Sequence, residues 1–140
     1  MQPIRTVAAV ISNSDGELLL VRKRGSSIFI QPGGKIEPHE DLLTTLSREL
    51  NEELGVHLDV PSAFHLGEFE AVAVNEPGRR VVANAFACSV SGTPTPRAEI
   101  EELAWVRAEG PYAVAVAPLS SLHILPAYVA AVRCASQSGG

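Results

Sequence analysis

The chain has 140 residues and a mass of 14.8 kDa, which is typical of one domain that buries about two-thirds of its unfolded surface. Hydrophobic residues make up 46% and charged residues 19%, values that exclude a disordered chain. A formal net charge of -5 excludes the broad positive field that holds a nucleic-acid polymer, and it repels any phosphorylated ligand unless a cation lies between them. We therefore expect a single domain over residues 1–140, no nucleic-acid polymer as partner, and a metal ion if the ligand is anionic.

Two further features concern the compartment. Cys88 and Cys134 lie far apart in apolar stretches, without the spacing of a disulfide framework or of metal ligands, so we expect buried, reduced thiols. Residues 1–6 lack a basic segment followed by an apolar run, and no stretch approaches the roughly 18 apolar residues of a membrane span. These observations predict a cytoplasmic protein with no membrane partner.

In chain order, the first predicted elements are strands. Residues 6–12 and 17–24 are apolar runs on either side of the turn sequence 13–16, a pattern that predicts a β-hairpin. A short extended stretch at 28–31 leads into Pro32-Gly33-Gly34, where proline cannot donate a ladder hydrogen bond and glycine permits unusual backbone angles. We therefore expect a sharp turn there.

Residues 41–54 are the clearest predicted helix. Asp41 can cap its start, and Gly55 can end it in a left-handed turn, with Val56 closing over the last turn. Apolar residues recur along it at the three- and four-residue spacing of one helix face, namely Leu42, Leu43, Leu46, Leu50 and Leu54.

The rest of the chain supplies further strands and one more helix. We predict strands at 64–74 and 80–90 joined by a turn at 75–78, a loop at 92–96, a strand at 103–106 around Trp105, a C-terminal helix at 119–134 interrupted near Pro126, and a loose tail at 136–140. Strands before and after a helix, with no repeat or linker, predict a mixed α/β sandwich.

Three glutamates lie where a solvated helix face would not place them. On a helical wheel Glu53 falls inside the leucine arc, and Glu49 and Glu52 lie along its edge. They crowd the C-terminal half, where the helix dipole disfavours anions, and like charges at this spacing repel by roughly 0.2–0.5 kcal/mol per pair. Mg²⁺ or Mn²⁺ would compensate for this cost. The alternative is an ordinary surface helix in which Arg48 pairs with neighbouring acids, and the helix alone leaves both readings open.

The segment 34–56, GKIEPHEDLLTTLSRELNEELGV, fills every fixed position of the pattern G-x5-E-x7-R-E-U-x-E-E-x-G-U, where U is aliphatic. It resembles the Nudix box, and Pro32-Gly33 and the order of the strands extend the similarity more weakly to the whole chain. The resemblance implies a Nudix-type α/β/α sandwich with a mixed β-sheet and a loop-helix-loop catalytic motif. It also implies a hydrolase that cleaves a nucleoside diphosphate linked to another group.

The resemblance also implies roles for the residues of the box. The metal ligands are expected to be Glu49, Glu52 and Glu53, with Glu52 or Glu53 as the general base. Arg48 is expected to orient a box glutamate by a charge-assisted hydrogen bond. Glu40 is expected to hold a further ligand or a supporting role in catalysis.

Residues outside the box complete the predicted site. A further acid often precedes the Trp-containing strand of this family, and we choose Glu99 over Glu101 and Glu102 as that metal ligand. Basic, glycine, aromatic and amide residues are candidates for contact with substrate, namely Arg22, Arg24, Phe29, Gln31, Gly33, Gly34 and Lys35.

The expected substrate is a small nucleotide-like diphosphate. The short chain and the run Pro32-Gly33-Gly34-Lys35, which is similar to that of triphosphate-cleaving members, favour a nucleoside triphosphate or an oxidised nucleotide. A non-catalytic nucleotide-sensing module is disfavoured, because a sensor need not keep a costly carboxylate cluster. An isoprenoid diphosphate isomerase is disfavoured because its additional cysteine and metal ligands have no counterpart here. A homodimer is compatible with this class of small enzyme.

Overall fold

The computed structural model describes residues 2–138. The strands are β1 (Ile4–Val10), β2 (Leu18–Lys23), β3 (Phe29–Ile30), β4 (Gly33–Lys35), β5 (His57–Leu58), β6 (Phe64–Val72), β7 (Arg80–Ala87), β8 (Val90–Ser91) and β9 (Ile100–Val106). The helical elements are α1 (Leu42–Leu54), a 3₁₀ turn at Val60–Ser62, a π-helical segment at Leu119–Ile124 and α2 (Leu125–Ser138). No helix in the range 2–138 combines the length and the apolar character needed to cross a membrane.

The strands form a mixed sheet of order β4-β1-β7-β6 and an antiparallel sheet of order β3-β2-β9, with a short ribbon of β5 and β8. β1 runs parallel to β7, and the other neighbours in the mixed sheet are antiparallel. Val7 and Ala9 of β1 pack with the leucines of α1, whereas Ala8 and Val10 pack against the C-terminal helical segment. The mixed sheet therefore lies between two helical layers, as the predicted α/β/α sandwich requires.

The predicted hairpin at the start of the chain is wrong beyond its turn. The turn forms, since the amide of Asn13 donates to the carbonyl of Glu17 at 3.0 Å. The two strands pair only at Ser12 and Leu18, next to a bond from the Leu19 amide to the Ile11 carbonyl, and then enter different sheets. β1 takes β4 and β7 as its neighbours, so both of its edges are occupied and none remains for β2.

The segment Pro32-Gly33-Gly34 bends as predicted, and the bend carries the chain from one sheet to the other. β3 pairs with β2 in one sheet, and directly after Pro32 the strand β4 pairs with β1 in the other. Gly33 has φ 147°, and a Cβ there would collide with the carbonyl of Val7. Glycine is needed at this position because the two backbones approach so closely.

Helix α1 has the predicted bounds and caps. The Asp41 side chain accepts a hydrogen bond from the Thr44 amide at 2.8 Å, and Gly55 adopts φ 68° while its amide donates to the carbonyl of Asn51. Val56 is fully buried, as expected for a residue that closes over the last turn. The helix that carries the glutamates is therefore fixed at both ends.

The second half of the chain follows the predicted order of elements with shifted bounds: β6 ends at Val72, β7 ends at Ala87, and β9 begins at Ile100. β6 and β7 form an antiparallel pair, and the change from π to α geometry falls beside Pro126, near the predicted interruption. α2 continues through residues 136–138, which were predicted as tail, and residues 139–140 lie outside the described range. Cys134 is exposed, contrary to expectation, whereas burial raises the pKa of Cys88 to about 12.

Candidate active site

A cleft of about 420 Å³ opens along β4 and the C-terminal half of α1. Its polar part is lined by charged side chains and by the two glycines, namely Lys23, Gly33, Gly34, Lys35, Glu37, Glu49, Glu53, Glu76 and Glu99. Its apolar part is lined by Ile4, Val72, Val81 and Leu119. This volume falls within the range of roughly 300–1,000 Å³ that small-molecule sites occupy.

Glu53 is the most buried carboxylate of the cleft. Only 4% of the residue is exposed, and its Oε1 accepts a hydrogen bond from the Gly33 amide at 3.2 Å. Burial raises the pKa of Glu53 to about 7, the negative charge of Glu49 adds to the shift, and the Gly33 hydrogen bond opposes it. The helical wheel placed this acid inside the leucine arc, and it is buried there beside Leu50 and Leu54.

Glu49 is the second helix carboxylate that lines the cleft. Burial raises its pKa, and the hydrogen bond from Arg48 opposes that shift. A Cβ on Gly34 would collide with the Glu49 carboxylate, so glycine at position 34 is what lets β4 approach the helix. Both glycines of the predicted bend therefore bring the loop against box glutamates: Gly33 donates to Glu53, and Gly34 makes room for Glu49.

Arg48 links the two ends of the box. Its Nε and Nη2 bind the two carboxylate oxygens of Glu40, each at 2.8 Å, and its Nη1 donates to Glu49 at 2.9 Å. The hydrogen bond from Arg48 holds the pKa of Glu40 at about 2, helped by the Thr45 hydroxyl. Glu40 does not line the cleft, so it acts on the site through Arg48 and the backbone of the preceding loop.

Glu52 does not share the cleft with the other two box glutamates. Its side chain is 54% exposed and lies 3.4 Å from Arg48 Nη1 on the outer side of the helix. Throughout residues 2–138, no group of three or more His, Cys, Asp or Glu side chains is already arranged to hold a metal ion. The carboxylates that line the cleft are Glu37, Glu49, Glu53, Glu76 and Glu99, and of these Glu76 pairs with Lys35.

Glu99 reaches the cleft because the loop before β9 is tied to the end of α1. The Arg97 amide donates to the carbonyl of Glu53 at 2.9 Å, and Ala98 takes the left-handed φ of 53°. The Arg24 amide then donates to the carbonyl of Glu99 at 2.8 Å. Of the three acids considered before Trp105, Glu99 lines the cleft, whereas Glu101 and Glu102 do not.

Of the three consecutive basic residues at the end of β2 and directly after it, Lys23 lines the cleft, whereas Arg22 and Arg24 do not. Lys23 Nζ lies 3.4 Å from Glu99 Oε1. Arg22 pairs with Glu102 at 3.0 Å and Arg24 with Glu101 at 3.6 Å, both outside the cleft. The sequence reasoning missed Lys23.

Strand alternation carried the signal that identifies Lys23. Leu19 and Val21 belong to the cluster that packs against α1, whereas Leu20 belongs to a different cluster. Because side chains alternate along a strand, Lys23 continues the face of Leu19 and Val21, and Arg22 continues the face of Leu20.

The other candidate substrate contacts divide between the cleft and the core. Lys35 lines the cleft and pairs with Glu76 at 2.8 Å, and Gln31 lines it with only 7% of its surface exposed. Phe29 does not line the cleft. It is 4% exposed and packs with Leu20 and Val106 in a separate apolar cluster, so a base cannot stack on it there.

The residues of the cleft suit a hard divalent cation. Carboxylate oxygens are the donors that Mg²⁺ and Mn²⁺ prefer, and Glu49, Glu53 and Glu99 supply them. Burial raises the pKa of both Glu49 and Glu53, so a cation among them would stabilise the charged forms that burial penalises. Because Gly34 has no side chain, β4 leaves space for the Glu49 carboxylate.

Comparison with known proteins adds independent information. The family model described as the NUDIX domain matches residues 2–125. The chain is 36% identical over 86 residues to the CTP pyrophosphohydrolase of Escherichia coli (strain K12), covering 59% of this chain and 58% of that protein. It is 34% identical over 87 residues to a MutT-like protein of Streptomyces ambofaciens, covering 62% of this chain and 52% of that protein. The chain thus spans about half the length of the curated relatives it matches.

Solved structures show the same architecture. The solution structure of the E. coli ORF135 protein matches with a TM-score of 0.73 and 30% identity, covering 93% of this chain and 91% of that chain. The crystal structure of a MutT NUDIX hydrolase from Burkholderia pseudomallei matches with a TM-score of 0.75 and 24% identity, covering 87% of this chain and 95% of that chain, which supports the fold alone.

Proposed function

The chain belongs to the Nudix domain family, and from that premise we propose that it is a pyrophosphohydrolase that cleaves a diphosphate linkage of a nucleoside triphosphate with Mg²⁺ or Mn²⁺. The observation that carries this proposal is the cleft itself, in which Glu49, Glu53 and Glu99 face Lys23 beside an apolar part. A polar end with opposite charges and an apolar end together match a metal-bound triphosphate attached to a flat base.

The cation belongs, in this proposal, to Glu49, Glu53 and Glu99. When bound, such a cation neutralises phosphate oxygens and makes a bound water acidic enough to attack near neutral pH. The chain supplies the positioning: the Gly33 amide fixes Glu53, and Arg48, itself held by Glu40, fixes Glu49. Arg48 therefore acts on Glu49 and does not touch substrate.

Two lysines of the cleft suit the phosphates. Lys23 projects among the carboxylates, and Lys35 follows the glycines of β4. Each supplies an ammonium donor for phosphate oxygens that a protein of net charge -5 would otherwise repel. Two carboxylates, Glu52 and Glu53, were considered as general base. Because Glu53 lies inside the cleft and Glu52 outside it, we assign Glu53 as the base that accepts the proton of the attacking water.

The name of one relative guides the choice of the first triphosphate to test. One of the proteins that this chain resembles is named a CTP pyrophosphohydrolase, so CTP is the first substrate to test. An oxidised triphosphate such as 8-oxo-dGTP belongs in the same panel, because the size of the cleft does not favour one base over another.

The experiment is a hydrolysis panel. Wild type is incubated with Mg²⁺ and CTP, UTP, ATP, GTP or 8-oxo-dGTP, and released pyrophosphate and phosphate are measured separately. We expect pyrophosphate from at least one nucleotide, loss of turnover by more than about a hundredfold in Glu53→Gln, and full activity in Glu68→Gln, an exposed glutamate on β6.

Two results would contradict the proposal. Cleavage of no nucleotide in the panel is one, and Glu53→Gln with wild-type activity is the other. Tight nucleotide binding without cleavage would favour the alternative class, a sensing module of the same fold.

A further inference from the structure

Gln31 lies where the chain crosses from β3 to β4, and its amide is fixed at one end. Its Nε2 donates to the carbonyl of Ala9 at 2.8 Å. Because a backbone carbonyl only accepts, the NH₂ group must point at Ala9 and the Oε1 must point away from it. The neighbouring bond from the Ala9 amide to the Pro32 carbonyl, at 2.8 Å, holds the same crossing. If the Gln31 amide turned over, it would lose this hydrogen bond and set its Oε1 against the Ala9 carbonyl oxygen.

The other end of this amide has no partner. Gln31 is 7% exposed, and its Oε1 is buried without a hydrogen-bond donor among residues 2–138. A buried acceptor that lacks a donor is unfavourable, and each such group in a native protein calls for an explanation, such as a bound water, ion or ligand. Gln31 lines the same cleft as the carboxylates Glu49 and Glu53 and the apolar side chains Ile30 and Leu119.

The position and the chemistry of this oxygen limit what can satisfy it. The ligand group must carry an N–H or O–H donor, and the base is the part of the substrate whose flat face suits the apolar lining and whose donors differ from one nucleotide to another. We propose that Gln31 Oε1 accepts a hydrogen bond from an exocyclic amino group of the bound base and so selects an amino-bearing base over its keto counterpart. This inference rests on the proposed function and names the substrate class for that site.

CTP and UTP differ at C4, where a keto acceptor replaces the amino donor, and at N3, which carries a proton in UTP, so a third nucleotide that differs from CTP at C4 alone isolates the amino group. With UTP, two acceptor oxygens would face each other, and neither could be hydrated inside the cleft. We expect kcat/KM of wild type to be at least about tenfold higher for CTP than for UTP. The triphosphate whose pyrimidine carries hydrogen in place of the 4-amino group should also be cleaved at least about tenfold less efficiently than CTP.

The matched variants are Gln31→Met and Ser62→Ala. Methionine keeps the length of the side chain and removes the acceptor, so we expect the CTP to UTP ratio to fall toward one, mainly through loss of CTP cleavage. Ser62 also binds neighbouring backbone, accepting from the Ser89 amide at 2.8 Å, but it does not line the cleft. Ser62→Ala should keep the wild-type ratio. If Gln31 had a purely structural role, Gln31→Met would lower kcat/KM for CTP and for UTP equally and leave their ratio unchanged.

The outcomes separate this inference from the function on which it rests. Hydrolysis with equal kcat/KM for CTP, UTP and the 4-hydrogen analogue overturns the Gln31 assignment and leaves the pyrophosphohydrolase intact. A CTP preference that survives in Gln31→Met also overturns it. If no triphosphate is cleaved, calorimetry with CMP and UMP still decides, because the proposal requires wild type to bind CMP at least about tenfold more tightly than UMP.

Discussion

At the scale of single residues, Glu53 is the side chain whose proposed function most clearly opposes the stability of the fold. It is a carboxyl group set among leucines, held by one amide hydrogen bond, and burial raises its pKa from 4.5 to about 7. Between these two values the folded metal-free protein binds more protons than the unfolded chain, so the free energy of unfolding falls as pH rises through that window. A cation would offset this penalty, and a neutral side chain would remove it.

Glu53→Gln should therefore stabilise the metal-free protein. We expect a gain of about 1–3 kcal/mol in the free energy of unfolding at pH 8, and almost no gain at pH 4, where the carboxyl group is protonated in the folded state and mostly protonated in the unfolded chain. Urea unfolding in EDTA at both pH values measures it, with Glu68→Gln as control. A variant less stable than wild type at pH 8, or an equal difference at both pH values, would show that burial does not penalise this carboxylate.

Lys23 tests the charge of the cleft. Lys23→Met removes the ammonium group that lies beside Glu99, and a lost charge-assisted hydrogen bond to phosphate should lower kcat/KM by about 10- to 100-fold. Arg22→Met is the matched control, since Arg22 pairs with Glu102 outside the cleft and should lose less than about threefold. Steady-state kinetics with CTP measures both. An equal loss in the two variants would mean that β2 acts through general charge and not through Lys23.

At the scale of elements, what the sequence could predict follows from how local each signal is. Helix α1 was predicted with its caps because leucine spacing, Asp41 and Gly55 all lie within the segment itself. The hairpin was wrong because the choice of strand partner depends on β4 and β7, which come much later in the chain. The turn at residues 13–16 still formed, since its chemistry is local.

The features of the site also divide into those that the local sequence predicts and those that depend on tertiary packing. The box predicted which acids crowd the helix, but not that Glu52 would point away from the cleft that Glu49 and Glu53 share. That separation depends on where β4 and the loop before β9 pack against α1, which is tertiary information. Lys23 could have been predicted by extending the alternation of β2 by one residue, so the sequence did contain the information that identifies it.

Gly34→Ala tests the close approach of β4 to α1. The added Cβ would collide with the Glu49 carboxylate, so that carboxylate must move, and we expect kcat/KM to fall by about tenfold or more. Gly78→Ala is the control: Gly78 has φ 78° with open space around its Cβ position, so alanine there is strained but touches nothing. It should lower thermal stability and keep kcat/KM. Loss of activity in Gly78→Ala alone would refute the role of this contact.

At the scale of the whole molecule, net charge and cleft chemistry oppose each other. A protein of charge -5 repels a triphosphate at long range, while the cleft offers Lys23 and Lys35 among five carboxylates. Binding of the anion should therefore depend on a cation bound with it. The same coupling follows from the raised pKa values of Glu49 and Glu53, since each is disfavoured as an anion until positive charge arrives.

Thermal unfolding with a non-hydrolysable CTP analogue tests this coupling, because a ligand that binds only the folded state raises the melting temperature. At roughly 100 times its Kd, the analogue with Mg²⁺ should stabilise the protein by about 2.7 kcal/mol, a rise of roughly 8 °C for a chain of this size. The analogue in EDTA should give a rise of less than about 2 °C, and Glu53→Gln should lose most of the Mg²⁺-dependent part. An equal rise with and without Mg²⁺ would show that the lysines alone hold the triphosphate, and that the carboxylates crowded at the end of α1 do not serve a cation.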